Sequence, residues 1–218
     1  MLQPIRDEFK ESDIVAKLND AEEEFQEETG GDDFRGIAQE TAREIYCLIR
    51  DRRPSAVVET GVFNGFSTFT ILRAMEKNQR GRLHSIDLPY RGKSDLDEFR
   101  EITHPNHPGA ALPDGKNPGW MVPEHLKARW SLHEGRVQDE LKPLCESVEP
   151  VNIFLLDACT DPEGVLFELE TAWRNLAEGG TIILNKAGRN DAFESFCQEK
   201  SCTYGTLANN VGWAVNEA

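Results

Sequence analysis

Short apolar runs alternate with segments of helical periodicity along most of this chain, and this alternation constrains the fold more than any other feature. The runs read AVVET, RLHSIDL, NIFLLDA and GTIILNK, with a weaker one at WSLHEG. Helical patterns lie at about residues 67–78, 123–129, 138–148 and 162–178. Strands buried on both faces read as continuous apolar runs, and strand-helix alternation favours parallel pairing. The sequence therefore predicts an α/β fold, a doubly wound and mostly parallel sheet with helices on both faces.

The two ends of the chain depart from this alternation. TYGTLANNVGWAV predicts two strands joined by a turn around Asn209 and Asn210, and hence an antiparallel C-terminal hairpin at a sheet edge. Residues 4–29 predict an acidic amphipathic helix, either a solvated outer helix or a lid, and FRGIAQETAREIYCLIRDRRP predicts a further helix. We expect an acidic helical extension over residues 1–33 and a single domain over residues 34–218.

The charge of the chain argues against a nucleic-acid partner. The formal net charge is −15, and residues 1–33 hold 12 of the 39 acids but only three of the 24 bases. Such a surface repels phosphate backbones, so we expect a small-molecule partner. The sequence has no run of 18 apolar residues, no secretory signal pattern and no C-x-x-C pair among its five cysteines. We therefore expect a cytoplasmic protein with no membrane partner.

Residues 89–122 form a long segment without any period, rich in proline, glycine, histidine and aspartate. Connections of this length are usually functional or disordered. Because the segment follows a strand that ends in an acid, Asp87, we expect it to cover a substrate, with a passive insertion as the alternative. Within it, His104 and His107 are a candidate metal pair of little specificity, and Trp120 is a candidate for stacking on a planar substrate.

The stretch VVETGVFNGFST carries an acid and two glycines between a strand and a helix. Gly61 permits a tight turn, Gly65 allows a close backbone approach, and the helix that begins near Ser67 points its N-terminal amides into the same crevice. The spacing differs from the dinucleotide motif G-x-G-x-x-G, and the sequence has no G-x-x-x-x-G-K-[ST] phosphate loop. Glu59 and Asp87 therefore suit a nucleoside that carries positive charge rather than phosphate.

At these residues the sequence resembles the class I S-adenosylmethionine-dependent methyltransferases. VVETGVFNGFST followed by GRLHSIDL is similar to the small-molecule O-methyltransferases of the catechol and caffeoyl-CoA type and their bacterial and archaeal relatives, and the similarity extends over about residues 35–200. It implies a Rossmann-like sheet, S-adenosylmethionine as cofactor and a possible homodimer. The implied cofactor-binding residues follow the strands: Glu59, Gly61, Phe63, Asn64, Gly65, Ser67, Asp87, Leu88, Gly135, Arg136, Val137 and Asp157.

The resemblance also implies what these residues do. Glu59, Gly61 and Gly65 would hold the amino-acid end of the cofactor, and Asp87 would bind its ribose. Residues 135–137 would face the adenine. The residues implied to hold the amino-acid end, the ribose and the adenine of the cofactor therefore lie at different strands along the carboxyl edge of the predicted sheet.

The residues that hold a divalent metal in the metal-dependent relatives are altered here. Those relatives use an acid after the fourth strand and an Asp-Asp or Asp-Asn pair after the fifth. Asp157 keeps the first, but the pair reads Asn185 and Lys186. Because Mg²⁺ prefers carboxylate oxygens, we expect no catalytic magnesium. Lys186 becomes a candidate catalytic residue, as a fixed cation against an oxyanion or as a base, with Asp157 orienting it.

The basic residue that the relatives carry beyond the first acid is also missing. Thr160 and Asp161 stand there, and they read equally well as a capping box or an N-cap that begins the next helix. The sequence therefore predicts a methyltransferase that acts on a small molecule, at oxygen and without catalytic magnesium. The alternative is a catalytically inactive relative that keeps cofactor binding or a scaffold role.

Overall fold

The structure is a computed structural model that describes residues 3–29, 36–88, 112–148, 150–159 and 161–217. The predicted helical turn near residue 160 is therefore described from Asp161 onward, and Thr160 lies outside the described residues. Of the long aperiodic segment, residues 112–122 are described, and His104 and His107 fall outside.

One seven-stranded sheet organises the described chain. Its strands are β1 (Ala56–Thr60), β2 (Arg82–Asp87), β3 (Trp130–Glu134), β4 (Val151–Leu156), β5 (Leu176–Leu184), β6 (Thr203–Leu207) and β7 (Val211–Val215). The order across the sheet is β3-β2-β1-β4-β5-β7-β6. Strands β1 to β5 pair in parallel, whereas β7 is antiparallel to both β5 and β6. The chain order reverses between β1 and β4, the switch point at which sheets of this type bind ligands.

The predicted doubly wound sheet is confirmed, including its C-terminal hairpin. β6 and β7 are joined through Asn209 and Asn210, whose φ angles are 61° and 57°. Asparagine tolerates this left-handed region better than most residues, because its short polar side chain can hydrogen-bond to the local backbone. The turn chemistry visible in the sequence therefore gave the right topology at this edge.

Helices cover both faces of the sheet. They are α1 (Gln3–Glu11), α2 (Ile14–Thr29), α3 (Gln39–Arg52), α4 (Phe66–Asn78), α5 (Val137–Val148), α6 (Pro162–Asn175) and α7 (Ala192–Lys200). Val57 of β1 shares a buried apolar cluster with α1 to α4. Its neighbour Val58 belongs to a second cluster, with α5 to α7. Successive strand residues point to opposite faces, so β1 anchors both helical layers.

The acidic N-terminal segment forms two helices rather than the one predicted. Ser12 lies at the break, where its hydroxyl donates to the Phe9 carbonyl at 2.6 Å. Five apolar side chains of these helices are buried in the cluster that includes α3 and α4: Phe9, Ile14, Leu18, Ala21 and Phe25. The helices therefore pack their apolar faces on the α3–α4 layer, and most of their acids are exposed.

One predicted boundary is wrong. The periodicity predicted a helix to residue 178, but α6 ends at Asn175 and Leu176 begins β5. Two glycines follow, and the Gly179 amide donates to the Asn216 carbonyl at 2.7 Å. Glycine disfavours helix, and this backbone pairing keeps the segment extended. None of the helices in the described residues is both long and apolar enough to cross a membrane.

Candidate active site

The predicted site residues converge on one edge of the sheet. β1, β2, β3, β4 and β5 run parallel, so their carboxyl ends meet there, and Glu134 lies in register with Asp87. Along this edge the structure brings together the turn after β1, the acid that ends β2, residues 135–137 after β3, Asp157 after β4 and the Asn185–Lys186 pair after β5.

Both glycines of the β1–α4 turn are required by close backbone contacts. Gly61 has φ +80°, and a Cβ there would lie 2.8 Å from the Asp157 carbonyl oxygen. Gly65 has φ +95°, and its Cβ would lie 2.6 Å from Gly119 Cα. We expected Gly65 to leave room for a ligand. The structure instead shows the Gly119 backbone packed against it, so the close approach is between two parts of the protein.

Glu59 lies beneath this turn rather than at its surface. Its side chain is fully buried. The hydroxyl of Ser67 donates to Oε1 at 2.6 Å, and those of Thr68 and Ser85 donate to Oε2 at 2.8 and 2.7 Å. Burial raises the pKa of Glu59 to about 7 against the lowering by these three hydrogen bonds. These hydrogen bonds fix the start of α4 to β2, and the role of Glu59 toward the cofactor stays a prediction.

Asp87 holds the same turn from the end of β2. Its Oδ2 accepts the amides of Val62 and Phe63 at 2.7 and 2.6 Å. Burial raises the pKa of Asp87, while these two hydrogen bonds oppose the rise. The next residue, Leu88, is half-buried at the same edge. Asp87 therefore stands where the sequence placed it, as a carboxylate at the carboxyl end of β2 beside the glycine turn.

The segment after β3 lies next to Asp87. The Gly135 amide donates to the Asp87 carbonyl at 2.9 Å, which ties the two strand ends together. Arg136 is exposed, and Val137 is buried at the start of α5. Residues 135–137 thus form one side of the crevice that begins at the glycine turn.

Asp157 and Lys186 form an ion pair at the other end of the crevice. Lys186 Nζ donates to Asp157 Oδ1 at 3.1 Å, and the lysine side chain is 35% exposed against 12% for the aspartate. Burial raises the pKa of Asp157, and the Lys186 ammonium opposes that rise. Lys186 has φ 60°, a left-handed conformation that is uncommon for lysine. The carboxylate and the ammonium predicted to meet are therefore in contact, with the ammonium on the more accessible side.

These side chains do not fit a divalent metal. The amide Nδ2 of Asn185 donates to the Gly36 carbonyl at 2.9 Å, which fixes the asparagine to the segment before α3. The Lys186 ammonium lies against the carboxylate that a metal would need. A hard cation requires several oxygen ligands, and a neighbouring ammonium repels it. Within the described residues, no three His, Cys, Asp or Glu side chains cluster as a metal site.

Sequence reasoning missed a second buried acid. Glu168 of α6 is fully buried, accepts a hydrogen bond from the Thr60 hydroxyl, and accepts the Cys159 amide at 3.1 Å. Thr60 also accepts the Asp157 amide at 3.2 Å. Burial raises the pKa of Glu168 to about 7. A signal was present: Glu168 lies among the buried Val165, Leu169 and Ala172 at helical spacing.

The described end of the aperiodic segment lies over the glycine turn. The Gly119 amide donates to the Phe63 carbonyl at 2.8 Å, and the Met121 amide donates to the Asn64 carbonyl at 3.3 Å. The Trp120 ring has the Lys116 ammonium 4.6 Å from its centre. One face of Trp120 is thus occupied by a cation of the protein, and stacking of this ring on a planar substrate stays a hypothesis beside the simpler role of anchoring the loop.

A comparison with known protein families gives a match to the part of the chain that contains this site. A protein-family model described as a methyltransferase domain matches residues 58–186, which is more than half of the chain. The chain belongs to this methyltransferase family. The matched region begins within β1 and ends at Lys186, so the methyltransferase match includes the glycine turn, Asp87 and the Asp157–Lys186 pair. The resemblance seen in the sequence is therefore confirmed.

Solved methyltransferase structures share the fold of this methyltransferase. One from Geobacter sulfurreducens has a TM-score of 0.60 at 18% identity, over 95% of this chain and 90% of that chain. TomG from Streptomyces achromogenes, an O-methyltransferase involved in tomaymycin synthesis and solved with SAM, has 0.62 at 14%, over 93% and 90%. An O-methyltransferase from Bacillus cereus in complex with SAH has 0.60 at 13%, over 94% and 91%. Comparison with curated proteins finds no match.

Proposed function

We propose that this methyltransferase uses S-adenosylmethionine to methylate an oxygen atom of a small molecule, without a catalytic divalent metal. The observation that carries the proposal is the Lys186–Asp157 ion pair, which lies at the switch-point edge where metal-dependent relatives hold their ion. The family match supports methyl transfer, and the O-methyltransferases among the solved structures of the same fold support oxygen as the target.

The residues along the sheet edge fit S-adenosylmethionine. Asp87 is a half-buried carboxylate, and we assign the ribose hydroxyls to it, since hydroxyl donors would stabilise its charged form. The first turn of α4 has no side-chain cap, so its amides are available to the carboxylate at the amino-acid end of the cofactor. Residues 135–137 border the space that remains for adenine. The bound cofactor supplies an electrophilic methyl group on a sulfonium.

Lys186 is the group that we assign to the acceptor oxygen. Its ammonium already donates to Asp157, so it acts as a fixed cation rather than as a base. A positive charge held in place stabilises the negative charge of an acceptor oxygen and lowers the acceptor's pKa. Asp157 and the Thr60–Glu168 contact behind it position the lysine. With S-adenosylmethionine bound, the acceptor oxygen, having released its proton to solvent, would form a bond to the methyl carbon as the carbon–sulfur bond breaks in line and S-adenosylhomocysteine leaves. The protein would contribute chiefly by positioning the two molecules.

A small-molecule acceptor agrees with the charge of the chain. The net charge of −15 would repel the phosphate backbone of DNA or RNA. We therefore propose an acceptor that presents a hydroxyl group of phenol or enol type, because Lys186 can stabilise the oxyanion of such a group.

The test combines ligand binding with methyl transfer. Titration calorimetry of the purified protein with S-adenosylhomocysteine should give binding that Mg²⁺ or EDTA leaves unchanged. Asp87→Ala should weaken this binding by at least about tenfold, the usual scale for a charge-assisted hydrogen-bonded contact. Asp139→Ala is the matched control, since it removes an exposed acid of α5 near the same edge and should bind as the wild type does.

Catalysis is then read with methyl-labelled S-adenosylmethionine and a panel of phenols, enols and alcohols. Lys186→Met should lower the transfer rate by about a hundredfold, the scale of one lost oxyanion-stabilising donor, with little change in S-adenosylhomocysteine affinity. Loss of activity on EDTA treatment would contradict the metal-free reaction. Tight cofactor binding without transfer to any acceptor would instead favour the inactive relative.

A further inference from the structure

Lys116 connects the acidic face of α2 to the wall of the proposed cofactor crevice. Its ammonium forms an ion pair with Glu24 and lies 3.8 Å from Glu28 Oε1. The same ammonium lies 4.6 Å from the centre of the Trp120 ring, on its face. One cation therefore contacts two acids of the N-terminal helix and an aromatic side chain of the segment that covers the glycine turn.

Trp120 links Lys116 to the glycine turn between β1 and α4. Its Nε1 donates to Asn64 Oδ1 at 2.7 Å. Asn64 is buried in the turn whose neighbouring amides, those of Val62 and Phe63, are held by Asp87. The Lys116–Trp120–Asn64 chain thus ends at the backbone that we assign to the cofactor.

A second contact joins α2 to the same turn. The rings of Phe25 and Phe63 meet edge to face, with centroids 6.1 Å apart. Phe63 has φ 51°, so it holds a conformation that bulky residues rarely adopt without support. α2 therefore supports the turn both through an apolar contact and through Lys116.

We propose that Lys116 is a positioning residue, which holds Trp120 against Asn64 and makes the N-terminal helix α2 part of the cofactor site. The inference rests on the proposed function and extends its site to Glu24, Phe25 and Glu28 of α2, which lie before the family match begins at residue 58. The three charged side chains are partly exposed, with 26% exposure for Lys116 and 46% and 39% for Glu24 and Glu28. Salt therefore weakens their attraction.

The experiment measures S-adenosylhomocysteine affinity by calorimetry in the full chain. Lys116→Met keeps most of the aliphatic stem and removes the charge, whereas Lys116→Arg keeps the charge. The double variant Glu24→Gln/Glu28→Gln removes the partner acids. Its matched control, Glu23→Gln/Glu27→Gln, makes the same charge change at two exposed positions of the same helix. Thermal unfolding of each variant verifies that it is folded.

At about 0.01 M salt, where charges act over roughly 30 Å, Lys116→Met and Glu24→Gln/Glu28→Gln should each weaken binding by about fivefold, since one ammonium makes several modest contacts. Combining them should weaken it no further, because both remove one network. At about 1 M salt the difference in affinity between these variants and the wild type should shrink, because the distance over which charges act falls to roughly 3 Å. Lys116→Arg should restore most of the affinity, and the control pair should match wild type.

Two outcomes separate this inference from the function on which it rests. If the wild type binds S-adenosylhomocysteine and Lys116→Met binds it equally well, the role of Lys116 is overturned but the proposed function is not. The same holds if the control pair loses as much affinity as Glu24→Gln/Glu28→Gln. A loss that does not depend on salt and that Lys116→Arg fails to restore also overturns it. Absence of binding by the wild type overturns the proposed function, and this inference with it.

Discussion

Glu59 and Thr60 are neighbours in β1, and their side chains leave the sheet on opposite faces. On one face, Glu59 accepts the hydroxyls of Ser67, Thr68 and Ser85. On the other face, Thr60 donates to Glu168. Each side of the strand that begins the active site therefore carries one fully buried carboxyl group, and burial raises the pKa of each to about 7.

Stability should fall as the pH rises through the pKa of Glu168. In the unfolded chain this carboxyl loses its proton near pH 4.5, whereas in the folded protein it keeps the proton until about pH 7. The folded state therefore binds more protons between these values. The stabilising effect is complete below pH 4.5, and each such group lowers the free energy of unfolding by about 1.4 kcal/mol per pH unit in this window.

Glu168→Gln should remove the share of that dependence that comes from Glu168 and leave the share from Glu59, because glutamine does not titrate. Urea denaturation between pH 5 and pH 7.5 should show a shallower loss of stability in the variant than in the wild type. Glu163→Gln is the control, since it changes an exposed acid of the same helix and should keep the wild-type slope. Parallel curves for wild type and Glu168→Gln would contradict the raised pKa.

At the residue scale the sequence predicted positions better than contacts. Asp87, Asp157 and Lys186 were found because each lies at the end of a strand or within two residues after it, and the carboxyl ends of parallel strands share an edge. The partners of Glu59 could not be read in this way. They come from α4 and β2, and sequence spacing does not reveal which hydroxyls a buried acid will meet.

At the scale of elements, the start of α6 shows how one local interaction sets a boundary. Asp161 is the N-cap, and its Oδ1 accepts the Gly164 amide at 2.8 Å, with Pro162 as the first helical residue. The sequence left the choice between a capping box and this N-cap open. The structure assigns the cap to Asp161, which agrees with the preference of proline for the first helical position.

Asp161→Ala should lower the free energy of unfolding by about 1 kcal/mol, because the Gly164 amide loses its acceptor. Asp161→Asn keeps an acceptor oxygen and should cost at most a few tenths of this. Chemical denaturation of the two variants measures the difference. Equal losses in both would mean that the charge of Asp161, rather than its hydrogen bond, stabilises the helix.

The sequence shows where the strands lie more clearly than it shows where each strand begins. β1, β4 and the second half of β5 are buried on both faces, so their sequences read as apolar runs. The first half of β5 contains Glu178, Gly179 and Gly180, and it is extended through backbone bonds to Asn216. Backbone pairing of this kind leaves no pattern of side chains in the sequence. The helix predicted from the periodicity of α6 therefore extended past its actual end at Asn175.

At the scale of the whole molecule, the N-terminal helices contribute to the same core as the sheet. Leu18 and Ile14 are fully buried beside residues of α3 and α4. Arg50 of α3 donates from Nε to Glu8 Oε1 at 2.8 Å, and Arg73 of α4 contacts Asp13 at 3.0 Å. These contacts fasten α1 and α2 at both their apolar and their charged faces.

Leu18→Ala should therefore destabilise the whole protein by about 3 kcal/mol, through lost burial and the cavity that remains. Lys17→Ala, at an exposed neighbouring position, should change stability by less than about 0.5 kcal/mol. Unfolding followed by both tryptophan fluorescence and far-UV circular dichroism should give one coincident transition. A separate early transition in Leu18→Ala would show that the N-terminal helices unfold on their own.

The hydrogen bond from Asn185 to the Gly36 carbonyl joins residues that are 149 positions apart in the chain. During synthesis, the ribosome must add nearly the whole of the β-α alternation before this bond can close. The segment before α3 therefore gains this partner only once β5 and Asn185 have been made. Contacts of such long sequence separation form slowly, because closing the loop costs entropy before the contact stabilises it. The site described here is thus complete only in a chain that extends through residue 185.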